Sequence, residues 1–199
     1  MTDRDGVKIG VERAKEIFCQ YHGNRFYMDH DGVGAEYEGY HVSGETERIW
    51  TRELVSELLK SEYRGKEALR VYRAAADLLN RDGERELWEE CLYYPLRTGK
   101  LDDVTVLFTL RASFDMAREA AEKGRFSGEE AGRYRQELER FSRSVLRRAE
   151  NGTLTRDEDY VMREFSDPLY VRDYLRDIIE RWNGLPGSAG YKTSGGKQE

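Results

Sequence analysis

Cysteine, histidine and proline are all scarce in this chain: two cysteines, three histidines and three prolines among 199 residues. Cys19 and Cys91 each fall inside a helical apolar pattern. That placement suggests packed, reduced thiols rather than a disulfide framework. Nowhere do eighteen apolar residues follow one another, so no membrane-spanning helix is expected. Residues 1 to 6 lack the basic segment and apolar run of a secretory signal, which favours a cytoplasmic setting. A basic excess is also missing. The formal charge is -6, which argues against nucleic acid as the primary partner, because phosphate neutralisation normally shows as surplus cations. Arginine outnumbers lysine 25 to 8, a bias that fits a GC-rich bacterial genome better than recognition chemistry. Gly-X-Ser-X-Gly, a glycine-rich phosphate loop and His-Glu-X-X-His are all absent.

What the chain does have is helical periodicity and charge. Ala14, Ile17, Phe18 and Tyr21 mark one face of a short helix that Gly23 ends. The pattern resumes after Ser43 with Ile49, Trp50, Leu54, Leu58 and Leu59. It continues over residues 66 to 81 on Leu69, Tyr72, Ala76 and Leu79, then from Glu84 on Leu87, Trp88, Cys91 and Leu92. Pro95 should end or kink that last helix. Asp102 or Asp103 caps a helix over 102 to 123, Ser127 with Glu130 forms a capping box, and Thr155 with Glu158 repeats the spacing ahead of a short helix through Phe165. Asp167-Pro168 places a cap and an N1 proline before Leu169, Leu175, Ile178 and Trp182. The expected architecture is all-α: an irregular antiparallel bundle of about seven or eight helices, one domain over residues 1–184, with a flexible Gly/Ser-rich tail at 185–199.

Residues 24–42 break the pattern. Near-alternate aromatic and β-branched residues around Asp31-Gly32 predict a short β-hairpin or an ordered loop. All three histidines, His22, His30 and His41, fall in or beside this stretch, with Asp29, Asp31 and four tyrosines. Imidazole and carboxylate suit a transition metal, which makes His22, Asp29, His30, Asp31 and His41 the metal candidates. No two histidines stand at the i, i+4 spacing that a helix would align, so no metal or other cofactor is called for. As a calcium loop the segment places Asp29, Asp31, Gly32 and Glu38 correctly, but puts Tyr27 where the first carboxylate belongs. Cys19, three residues before His22, has the spacing of a thiolate-imidazole pair, although a cysteine in an Ala-Lys-Glu-Ile-Phe-Cys run is far more often core packing.

The helix over 128–148 concentrates arginine toward its C-terminal end, where cations complement the helix dipole; nucleic-acid binding there is the alternative. Asp157-Glu158-Asp159, followed by further aspartates, supplies the opposite sign, and paired patches suit self-association or a charged partner. The favoured expectation is therefore an interaction or regulatory module that binds a protein partner or a second copy of itself. Tyr27, Tyr37 and Tyr40 are its expected contacts, the alternative being that these rings, with Phe26, close one end of the bundle. A metal- or cysteine-dependent enzyme centred on residues 19–41 is the competing expectation.

Overall fold

The computed structural model describes residues 4–60, 63, 65–82, 84–156 and 163–185. Within these it is all-α, with no strand. The helices are α1 (Arg4–Gln20), α2 (Arg25–His30), α3 (Gly34–Gly39), α4 (Gly44–Lys60), α5 (Gly65–Asp82), α6 (Arg85–Arg97), α7 (Asp103–Glu122), α8 (Gly128–Glu150) and α9 (Pro168–Asn183), with a 3-10 turn at Arg163–Ser166 before the last. None is long and apolar enough to cross a membrane.

Local chemistry accounts for most boundaries. Asp102 caps α7 by accepting from the Thr105 N–H at 2.9 Å. Ser127 and Glu130 form the reciprocal capping box of α8, and Asp167 caps α9 ahead of Pro168. α6 runs through Pro95 and ends two residues later at Arg97. Thr155 is tied to the start of α7. Its Oγ1 accepts from the Asp103 N–H at 2.9 Å and its own N–H donates to Asp103 Oδ2 at 3.0 Å. The expected partner Glu158 lies outside the described residues, as does the expected tail beyond Leu185.

Within the span read as one domain, the chain divides into two compact units, residues 1–61 with 74–89 and residues 62–73 with 90–199. In the first, Ala14, Ile17 and Phe18 of α1 are buried, and the Phe18 ring lies 5.5 Å from Trp50 and 6.5 Å from Tyr37. Trp88 is buried with its indole N–H donating to Asn80 Oδ1 at 2.8 Å, which removes the cost of an unpaired buried donor.

The second unit is built on α7, α8 and α9. Leu107, Leu110 and Ala117 of α7, Tyr134, Leu138 and Val145 of α8, and Val171, Leu175, Ile178 and Trp182 of α9 are buried. Tyr134 stacks on Trp182 at 4.1 Å, and Arg135 Nη1 donates to Asn183 Oδ1 at 2.6 Å. The start of α8 therefore meets the end of α9, and because Leu146 and Arg172 line one groove further along, the two helices run antiparallel. Arg148 fastens this unit by a bidentate pair to Asp103, Nε to Oδ2 at 2.9 Å and Nη2 to Oδ1 at 2.5 Å.

Candidate functional site

The segment that suggested a hairpin is helical. α1 stops in a left-handed turn at His22 (φ 48°) and Gly23 (φ 62°), with the Gly23 N–H donating to Phe18 O at 2.8 Å. The Arg81 guanidinium donates to the carbonyls of His22 and Gly23, satisfying acceptors of the turn that follows the helix. Asn24 then caps α2, its Oδ1 accepting from the Tyr27 N–H. Gly32 (φ 77°) turns the chain between α2 and α3, and His41 (φ 48°) closes α3. A tight turn flanked by helix caps, rather than a strand pairing, satisfies the backbone here.

Helical geometry sorts the aromatics differently from the expectation. Tyr37, named as a contact, is 1% exposed and belongs to the core. Its hydroxyl donates to Glu47 Oε1 at 2.8 Å while Arg25 covers the ring at 4.4 Å from the centroid and reaches Glu47 at 3.5 Å. Burial, reinforced by the Glu47 carboxylate, pushes the Tyr37 phenol well up. Tyr40 is half-buried, and its hydroxyl donates to Glu36 Oε1 at 3.0 Å. Glu36 also accepts from Arg13 Nε at 2.9 Å; the hydrogen bond from Arg13, then that from Tyr40, holds its carboxyl below the usual range. Tyr27 does lie outside, 56% exposed. Its neighbour Phe26, not among the expected contacts, is 72% exposed. Their rings meet edge to face at 5.4 Å, while Met28 on the opposite side of the same short helix is fully buried. The signal for Phe26 was present: on a helix, one inward residue at position 28 leaves 26 and 27 facing away together.

The metal candidates scatter. His22 and His41 occupy left-handed turns at the ends of α1 and α3, Asp29 lies in α2, and only His30 and Asp31 come together. His30 Nδ1 donates to Asp31 Oδ1 at 2.9 Å, and the Tyr21 hydroxyl donates to Asp31 Oδ2 at 3.0 Å. These two bonds, His30 first, lower the Asp31 carboxyl and leave His30 Nε2 directed away from it. Among the described residues no group of three or more histidine, cysteine or acidic side chains is arranged to hold a metal ion. The calcium-loop register also fails, because Asp29 and Glu38 are built into helices.

The chain matches no protein-family model, no curated protein and no solved structure. Cys19 bears on the cysteine-dependent reading. Burial raises its thiol above the ordinary value, Lys15 draws it back in part, and Glu53 and Glu57 raise it further. A raised thiol is protonated at neutral pH, the opposite of an activated nucleophile. In the arginine-rich helix α8, Arg133 pairs with Glu129, Arg135 with Glu139, and Arg148 with Asp103. Tyr134 is buried, which removes it as a base-stacking surface.

Proposed function

We propose that the protein is an interaction module whose contact surface is the Phe26–Tyr27 pair of α2. The carrying observation is the joint exposure of these two rings on a helix fixed from several sides. Met28 anchors α2 inward, Asn24 caps it, and Arg81 secures the preceding turn, so the rings are presented at little further cost in ordering. Large rings with few rotatable bonds, rimmed by Arg25, Asp29 and the His30–Asp31 pair, have the composition of interface anchors. A cytoplasmic setting and a bacterial source belong to this proposal, the first supported by the missing apolar span and the second by arginine usage.

The test is comparative affinity capture with wild type and a Phe26→Ala, Tyr27→Ala double variant, followed by direct titration of each protein retained by wild type. Truncating two interface anchors is expected to weaken binding at least about tenfold without loss of helical circular dichroism. Equal affinity for both proteins would contradict the proposal.

A further inference from the structure

Along their line of contact, α8 and α9 enclose an open groove of about 510 Å³. Its floor is apolar, with Leu146 and Ile179 half-buried, and its rim is charged in a particular order. On α8, Glu139 is followed one turn later by Arg143; on α9, Arg176 is followed one turn later by Glu180. Because the helices run antiparallel, both glutamates lie toward the end where Arg135 meets Asn183. Both arginines lie a turn further along, and Arg172 adds a third cation on that side. Each wall is therefore acidic toward one end and basic toward the other, with the same offset.

The i, i+4 partners on each helix have the spacing to neutralise one another, yet the observed pairs point elsewhere. Glu139 binds back to Arg135 at 3.4 Å, and Arg176 binds back to Asp173 at 3.2 Å. Among the described residues, Arg143 and Glu180 have no ion-pair partner.

We propose that this face docks on a second copy of the chain about a two-fold axis crossing the groove at right angles. Arg143 and Arg176 of each copy then meet Glu139 and Glu180 of the other. Turning the groove end over end sets α8 against α8 and α9 against α9, antiparallel, which gives a four-helix arrangement with the apolar floors inside. Docking without that turn opposes like charges along both walls. A helix from another protein requires no self-complementary charge order, whereas this two-fold contact requires each wall to carry opposite signs on either side of the axis, and both walls do. The apolar floors and the opposed charges act together, and the charges favour this register over the one that sets like signs against each other. The contact is short, about 10 Å from Glu139 to Leu146 at the helical rise, so the dimer is a weak one. It is independent of the α2 ring pair.

Sedimentation velocity of the full chain over about 5 to 500 µM tests this, with salt varied from about 50 to 500 mM. The expected result is a concentration-dependent dimer that weakens as salt rises. A Glu139→Arg, Glu180→Arg variant and an Arg143→Glu, Arg176→Glu variant are each expected to self-associate at least about tenfold more weakly, and their equimolar mixture to recover a heterodimer at least as tight as the wild-type dimer. A chain that stays monomeric throughout overturns the proposal and leaves the groove to a foreign helix. A dimer indifferent to salt, insensitive to both charge reversals, or not restored by mixing overturns it as well. The salt series on wild type keeps the test decisive if either variant loses its helical circular dichroism.

Discussion

Gly23 shows how much one residue can fix. Its φ of 62° lies where a side chain is strained, and a Cβ there would sit 2.7 Å from Phe18 Cε2, against a ring already packed on Trp50. Gly23→Ala is therefore expected to destabilise the protein by about 1 to 3 kcal/mol, read as a lower urea midpoint at unchanged m-value. That position was legible, because a glycine directly after an apolar helical face marks a left-handed cap. The fates of Tyr27 and Tyr37 were not. Both are tyrosines in the same short segment, and only the packing of Phe18 and Arg25 around one of them decides that it is core. Tyr37→Phe removes a part-buried hydroxyl that donates to Glu47, with an expected loss of about 1 to 2 kcal/mol. In wild type, spectrophotometric titration should find the Tyr37 phenol ionising later than free tyrosine.

The elements depend on their ends. Ser127→Ala should lose the Oγ arm of the α8 capping box, leaving the Ser127 backbone N–H to Glu130, and lower stability by about 1 kcal/mol in chemical denaturation. The Asp103–Arg148–Thr155 fastening matters more, because Asp103 is buried and removing it strands part of the guanidinium's hydrogen bonding. Asp103→Ala is expected to destabilise by about 2 to 4 kcal/mol.

Burial alone would raise the Asp103 carboxyl, but Arg148 and the Thr155 N–H outweigh it, so the folded value falls below the ordinary 3.8. A depressed carboxyl contributes stability that is fully present above 3.8 and is lost as the pH falls through the lower folded value. Stability measured against pH should accordingly lose part of its acid limb in Asp103→Asn. The Ser127 and Asp167 caps, and the α7 cap to within Asp102 or Asp103, could be read from sequence because capping is a local bond to a residue two or three positions on. Thr155 could not, since its partner is 52 residues away. The segment 24–42 was misread for the same kind of reason. Its short helices hold too few residues for a period to show, and near-alternation of Phe26 and Met28 imitates a strand although one faces out and the other in.

At the scale of the molecule, Trp50, Trp88 and Trp182 are all buried, the first two in one compact unit and the third in the other. Native emission should therefore lie to the blue of free tryptophan and resist acrylamide quenching, with a red shift on unfolding; a spectrum of exposed indole would contradict the packing. The all-α class, most helix boundaries and most of the core faces followed from the sequence alone, although Ile49 and Leu169, which fit the apolar period, are exposed. Each rests on interactions between residues a few positions apart, and those spacings are written directly in the chain. The tertiary structure alone decided that Phe26 and Tyr27 are presented together while Tyr37 is enclosed, that the three histidines form no metal-holding group, and that α8 and α9 align two charged rims along one apolar-floored groove. Those outcomes depend on which distant side chains meet, a choice made by packing whole faces against one another.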